Sequence, residues 1–174
     1  MKTILQFATL TLILIVSCTP LKVVSDHEDQ LDFTQYSTFR IEANKSVFPE
    51  DANPIQHERL EKEIKNKMKE LGFQESDNPD LNLRYFVKKE IHETLIKSRG
   101  EPEYVPYKYD FEIYQYKEGT LVIDFYDARD NKALWHGILS RTVNEDLKTA
   151  EKRIKRNVGA IFKRFAQETH LTKK

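Results

Sequence analysis

The chain has 174 residues with 28 basic and 28 acidic side chains, so its formal net charge at neutral pH is zero. This balance gives no overall attraction to nucleic acid, and the single cysteine excludes a disulfide within the chain. A charged fraction of 32% with only five glycines argues against a disordered or fibrous protein.

The N-terminus has the pattern of an export signal. Lys2 precedes an apolar run from Ile4 to Val16, which is shorter than the roughly 20 apolar residues of a transmembrane helix. The run ends at the sole cysteine, and the segment Ile15-Val16-Ser17-Cys18 resembles the lipobox of bacterial lipoproteins. The alternative is a plain secretory signal followed by an incidental thiol.

The lipobox resemblance implies a domain layout and a location. Residues 1–17 are expected to be a cleaved signal peptide, with Cys18 carrying diacylglyceryl and acyl chains such as palmitate. Residues 18–21 would form the lipidated tether and 22–170 a single α+β domain. Because Thr19 and not Asp follows the cysteine, the enterobacterial sorting rule implies the outer membrane.

The first predicted elements are two strands and a helix. A strand is predicted at Leu21–Ser25 and a half-buried one at Thr38–Ile41. The early first strand limits the tether from Cys18 to roughly 10–15 Å. Asn53 and Pro54 predict the start of a helix that ends at Gly72 in a left-handed cap. Its apolar residues recur at helical spacing: Leu60, Ile64, Met68 and Leu71.

The middle of the chain predicts a strand followed by an irregular segment. Alternating apolar residues predict a strand with one buried face at Leu81–Val87. Prolines interrupt the segment 93–118, in which Tyr107 and Tyr109 alternate with charged residues. Tyr114 and Tyr116 change the phase of this alternation, which predicts a bulge or a new strand.

The strongest pattern is a hairpin of Thr120–Asp127 with Ala133–Thr142. A three-residue loop ending at a left-handed Asn131 pairs residues whose numbers sum to 260. This register places Asp124 opposite His136 on one face. The other face is apolar or small and is predicted to be core: Leu121, Ile123, Phe125, Trp135, Gly137 and Leu139.

A helix is predicted over about Glu145 to Phe165. Its apolar stripe consists of Leu147, Ala150, Ile154, Val158, Ile161 and Phe165. From Asn144 to Lys174 there are nine Lys or Arg and four Asp or Glu residues, so the outer face is basic. The bases include Lys148, Lys152, Lys155, Arg156 and Lys163, which either contact anionic headgroups or form a solvated surface.

Four short motifs resemble the bacterial lipoproteins of domain-of-unknown-function family 4136. They are Asp32-Phe33-x-x-Tyr36-x-Thr38-Phe39, Pro79-Asp80-Leu81, Glu118-Gly119-Thr120-Leu121-Val122-Ile123-Asp124-x-x-Asp127 and Leu134-Trp135-x-Gly137. The resemblance covers about Lys22 to Phe165 and implies a two-layer α+β sandwich. We expect a mostly antiparallel sheet of about four to six strands with two helices on one face. The family has no established activity or catalytic residues to transfer.

Few residues suggest chemistry. The Asp124/His136 pair would suit either an oriented base or a simple cross-strand surface contact. The tyrosine-rich segment is either a binding platform or an edge strand. The possible ligand or partner surface therefore comprises Tyr104, Tyr107, Tyr109, Tyr114, Tyr116, Asp124 and His136. The five histidines lack ligand spacing and Asp26–Asp29 lacks the EF-hand pattern, so neither metal nor cofactor is expected.

These observations predict a lipid-anchored cell-envelope protein that acts as a non-enzymatic binding or assembly module at the membrane surface. The expected partners are the membrane, through Cys18, and an envelope protein, with no nucleic acid. A small-molecule or lipid binder that uses the 104–116 segment and the exposed sheet face is the alternative, and an enzyme is the third possibility.

Overall fold

The fold is described from a computed structural model of residues 21–28, 32–42, 53–97, 111–142 and 146–171, with only the backbone described at 95–97 and 111–113. The strands are β1 (Val24–His27), β2 (Thr38–Ile41), β3 (Gln74–Glu75), β4 (Leu81–Lys97), β5 (Phe111–Asp127) and β6 (Ala133–Thr142). The helices are α1 (Pro54–Glu70) and α2 (Ala150–Glu168). Cys18, Tyr104, Tyr107 and Tyr109 lie outside the described residues.

The six strands form one sheet in the order β1-β6-β5-β4-β2-β3. β1, β6, β5 and β4 pair antiparallel, whereas β2 pairs parallel with both β3 and β4. The chain makes the parallel crossover from β2 to β4 through α1. Both helices pack on one face, which confirms the predicted α+β class and the strand number.

The core lies between the sheet and the helices. Phe125 and Phe165 stack with ring centroids 4.3 Å apart, and Trp135 meets Phe165 edge-on at 5.2 Å. α1 contributes its predicted stripe, since Leu60, Ile64 and Met68 are buried. α2 contributes Val158, Ile161, Phe162 and Phe165. Burial of these aromatic and aliphatic groups is the main stabilising term of the fold.

Local signals in the sequence place α1 correctly. Asn53 accepts a hydrogen bond from the Ile55 amide as the N-cap, and Pro54 occupies the first turn. Gly72 adopts a positive φ of 94° after the last turn, as predicted. Lys65 forms an ion pair with Glu61, one helical turn away, at 3.1 Å. The hairpin prediction is also confirmed. Asn131 has a φ of 60°, and β5 and β6 pair residues whose numbers sum to 260 as far as Phe125 and Trp135.

Two strand predictions are wrong in their limits. The first strand is Val24–His27 and not Leu21–Ser25, because pairing with β6 selects it. The strand predicted at Leu81–Val87 is β4, and it extends to Lys97 instead of ending at Val87. Because β1 starts at Val24, the chain from Cys18 to the sheet reaches about 20 Å, which is longer than first expected.

The bulge or new strand predicted at Tyr114 and Tyr116 is also wrong. β5 pairs with β4 without a register shift from Leu81 opposite Asp127 to Lys97 opposite Phe111. The irregularity lies between Phe125 and Tyr126, in the pairing with β6. The even-numbered residues of β5 therefore share one face along the whole strand.

The last helix begins later than predicted and extends further, over Ala150–Glu168. Leu147 belongs to a preceding 3-10 turn and is 66% exposed, so its place in the apolar stripe is wrong. Phe162, which the stripe omitted, is buried in the core. The helical phase is set by the aromatic cluster at the C-terminal half of α2.

Candidate functional site

The face of the sheet opposite the helices carries the predicted Asp124/His136 pair. The two residues are partners across β5 and β6, and His136 Nδ1 lies 2.5 Å from Asp124 Oδ1. Because an ionised carboxylate only accepts, the His136 ring donates from Nδ1. The pairing is confirmed, whereas its role in binding stays a prediction.

The pair belongs to a charged row across four strands. Asp26 of β1 lies across from His136, and Arg84 of β4 lies across from Asp124. Arg84 donates from Nε to Glu42 at 2.8 Å and lies 4.2 Å from the Tyr126 ring. Sequence reasoning missed Asp26 and Arg84, because the pairings of β1 and β4 depend on long-range contacts and not on a short loop.

An apolar row runs beside the charged one. Phe86, Val122, Ile138 and Val24 are consecutive partners on β4, β5, β6 and β1. Val122 is only 2% exposed, although it lies on the face without helices, while Val24 at the edge is 56% exposed. This face, with its apolar and charged rows, is called the open face below. Protein-binding surfaces typically combine an apolar core with a polar rim, and the apolar and charged rows together have this composition.

The open face continues into a projecting two-stranded ribbon, called the hairpin arm below (residues 91–97 and 111–117). β6 pairs with β5 only as far as Glu118, so among the described residues β4 and β5 extend beyond it as a pair without a third strand. Tyr116 stacks on its cross-strand partner His92 with centroids 5.2 Å apart, and on Tyr114 at 6.4 Å. The arm thus presents three neighbouring aromatic rings on one face.

The predicted site residues do not converge on one pocket. Tyr116 and Asp124 share a face of β5 but are eight residues apart, which corresponds to roughly 26 Å along the strand. A cleft of about 380 Å³ lies elsewhere, between α1 and α2. In the described ranges, no three His, Cys, Asp or Glu side chains gather as a metal site. The open face suits an extended partner better than a small ligand.

Three polar residues of the sequence motifs, Tyr36, Asp80 and Asp127, hold distant segments of the fold together. Tyr36 donates its hydroxyl to Asp127 at 3.0 Å. Hydrogen bonds from Arg129 hold the pKa of Asp127 well below 3.8, although burial acts in the opposite direction. Asp80 Oδ2 accepts from the backbone amides and hydroxyls of Ser37 and Thr38 at 2.8–3.0 Å. The Ser37 amide is the largest cause lowering the pKa of Asp80.

A second polar network ties the end of α2 to β1 and β6. Glu168 accepts from Trp135 Nε1 and from the Ser25 hydroxyl, both at 2.8 Å. Arg164 pairs with Glu168 at 2.7 Å. Burial alone would raise the pKa of Glu168, but these hydrogen bonds and the Arg164 charge together lower it. The buried contacts of Tyr36, Asp80 and Asp127 and this network are therefore structural, and the open face is left as the candidate site.

The architecture defines a two-layer α+β domain with an open sheet face. The model of the family "Domain of unknown function (DUF4136)" matches residues 23–165, so the chain belongs to this family, as its motifs indicated. No curated protein matches it. Neither described helix is long and apolar enough to cross a membrane.

One solved structure shares the fold at low identity. A PDZ domain protein from Parabacteroides distasonis is similar with a TM-score of 0.56 and 15% identity, over 97% of this chain and 41% of that one. The chain thus spans less than half of that protein. A PelC dodecamer from Paraburkholderia phytofirmans has a TM-score of 0.46 and 11% identity, over 80% and 95% of the two chains. At 15% identity the likeness to the PDZ domain protein shows the fold alone.

Proposed function

We propose that this chain is a lipid-anchored protein of the bacterial cell envelope whose domain binds an envelope protein through the open face. The observation that carries the proposal is the continuous open face, with in-register charged and apolar rows that lead into the hairpin arm. Its length along β5 exceeds that of a typical small-molecule pocket. The proposal is therefore a non-enzymatic binding or assembly module.

The anchor in this proposal is Cys18, at the end of the lipobox-like segment. With β1 beginning at Val24, the intervening chain reaches about 20 Å, so the domain stays close to the headgroups. Intact-mass analysis of the N-terminal peptide should show a diacylated and acylated Cys18 after loss of residues 1–17. The Cys18→Ala chain should appear in the soluble fraction as a folded domain; an unmodified Cys18 on a membrane-bound wild-type chain would contradict the anchor.

Native mass spectrometry of the full chain, extracted from membranes in a mild detergent, tests the binding role. A retained protein partner supports the proposal, and Val24→Arg on the open face should release it. Lys69→Glu, an exposed change on α1, is the matched control and should leave the complex intact. A retained small molecule without a protein would favour the alternative, a lipid or small-molecule binder.

An enzymatic role would need the Asp124/His136 pair to act on a substrate. Turnover that is lost in both Asp124→Asn and His136→Ala would overturn the non-enzymatic proposal. The Asp124 carboxyl is mostly covered, and the His136 imidazole is 43% exposed. This position in a surface row favours a structural contact between the two side chains over a catalytic role.

A further inference from the structure

The two helices form a layer over one face of the sheet, and the outer surface of this layer is rich in bases. Residues opposite the buried stripe of each helix point away from the sheet, because residues on one face recur every three or four positions. The bases that do so are Lys152, Arg156 and Lys163 of α2 and Arg59, Lys62 and Lys69 of α1. All six are exposed, and none forms an ion pair with a described residue. This outer surface is called the helix surface below.

Few carboxylates balance the bases of the helix surface. Glu58 is exposed and forms no ion pair with a described residue. The other carboxylates of the two helices each form an ion pair: Glu61, Glu63, Glu70, Glu151 and Glu168. Before α2, Asp146 accepts from the Lys148 amide at 2.9 Å, and Glu145 lies outside the described residues. Even with Glu58, Asp146 and Glu145 all counted as negative, the helix surface keeps a net positive charge.

Two exposed apolar side chains lie where both helices begin. β2 and β6 run in the same direction in the sheet, and α1 and α2 follow them, so the two helices start at the same end of the domain. Ile55, in the first turn of α1, is 57% exposed, and Leu147, in the turn before α2, is 66% exposed. Exposed apolar side chains beside bases are typical of surfaces that lie among lipid headgroups.

The proposed anchor enters the domain at this same end. β1 runs antiparallel to β6, so the chain reaches the sheet at the end where the helices begin. Leu21 and Val23, before β1, pack against the core, and Ser25 of β1 donates to Glu168 of α2 at 2.8 Å. The step from Cys18 to Leu21 spans only about 10 Å, which is roughly the diameter of one helix. Acyl chains on Cys18 would therefore hold the helix layer beside the headgroups.

We propose that the helix surface binds an anionic lipid membrane and that the open face therefore points away from the bilayer. An anionic membrane supplies the opposite charge that the six bases lack, and Ile55 and Leu147 reach among its headgroups. Each base near such a surface strengthens binding about fivefold. The inference rests on the proposed anchor for the position of the chain, but the attraction of the bases to the membrane needs no acyl group.

Vesicle flotation of the full chain at low ionic strength separates this inference from the anchor. The vesicles contain phosphatidylcholine alone or phosphatidylcholine with about a third phosphatidylglycerol. A chain that is anchored through Cys18 floats with both. If the anchor fails and the helix surface binds, the chain floats only with the vesicles that contain phosphatidylglycerol. Flotation with neither kind of vesicle would overturn both proposals.

Quenching by a lipid with a nitroxide headgroup then measures the orientation on the phosphatidylglycerol vesicles. A fluorescent amino acid replaces Asn66, exposed on the helix surface, or Ser140, exposed on the open face. We expect much stronger quenching at position 66 than at position 140. The double variant Lys152→Gln/Lys163→Gln should lower the ratio of docked to undocked chains at least tenfold. Lys88→Gln/Lys132→Gln, which removes two exposed bases away from the helix surface, is the matched control and should change it less than twofold. Equal quenching at the two positions, or equal effects of the two double variants, would overturn the inference.

Discussion

Tyr36 donates its hydroxyl to Asp127 Oδ2 at 3.0 Å, and this contact joins the segment before β2 to the end of β5. Both side chains are nearly buried, with 7% and 4% exposure. Arg129 binds the same carboxylate through its backbone amide and its guanidinium. A single carboxylate thus fixes the hairpin end of the sheet against the start of the domain.

Replacing Tyr36 with Phe removes one donor from this carboxylate and keeps the ring. We expect the free energy of unfolding to fall by about 1.5–3 kcal/mol, as for hydrogen bonds to charged groups. Urea denaturation measures this difference. Tyr114→Phe, at a tyrosine that is 54% exposed, is the control and should stay within about 0.5 kcal/mol. Equal losses in the two variants would contradict the structural role of Tyr36.

Acid should destabilise the fold through three carboxylates. The pKa values of Asp127, Asp80 and Glu168 are all lowered in the folded chain. Each therefore stabilises the fold above its unfolded pKa, and this contribution is lost as the pH falls through the folded value. The free energy of unfolding should decrease from about pH 5 downward.

Urea titrations at several pH values between 7 and 3 measure this dependence. Asp127→Asn should be less stable at pH 7 and should show a shallower decrease in acid, because one titrating group is gone. A wild-type stability that rises on acidification would contradict the assignment of these carboxylates as ionised in the fold.

Gly137 leaves room for the Trp135 ring, which lies against its backbone. A Cβ built at Gly137 would overlap the six-membered ring of Trp135, so Gly137→Ala must displace the ring. We expect a loss of about 1–3 kcal/mol, as for overpacked cores. Gly159→Ala in α2 is the matched control, since nothing lies within 4 Å of its Cβ. It should stabilise the chain by up to about 1 kcal/mol through helix propensity.

The exposure of Leu147 and the burial of Phe162 make a further pair of predictions. Leu147→Ala should change the free energy of unfolding by less than about 0.5 kcal/mol. Phe162→Ala should lower it by about 3–5 kcal/mol, because it empties a site in the aromatic core. Thermal and urea denaturation measure both losses. A larger loss for Leu147→Ala than for Phe162→Ala would instead favour the apolar stripe that the sequence alone predicted.

The sequence predicts best those contacts that short-range geometry determines. The Asp124/His136 pairing followed from a three-residue loop with a left-handed Asn131, and the start of α1 from Asn53 and Pro54. Such features depend on local backbone preferences and on alternation over a few residues.

Contacts between distant segments were not predictable in this way. Residues 88–94 of β4 show no apolar alternation, and all of them except His92 are exposed, so this part of the strand has no buried face that a pattern could reveal. Arg141 of β6 and Asn157 of α2 come within hydrogen-bond distance only through packing of α2 on β6. Val24 could be placed beside Ile138 only once the pairing of the edge strand β1 with β6 was known.

The hairpin arm and the edge of the open face are proposed to contact the same envelope protein. Site-specific photo-cross-linking in intact cells tests this most directly, with a photoreactive residue at Tyr114, at Val24 or at Lys69 as the α1 control. We expect Tyr114 and Val24 to capture one common protein and Lys69 to capture none. Equal capture from all three positions, or no capture from Tyr114 and Val24, would contradict binding through the open face.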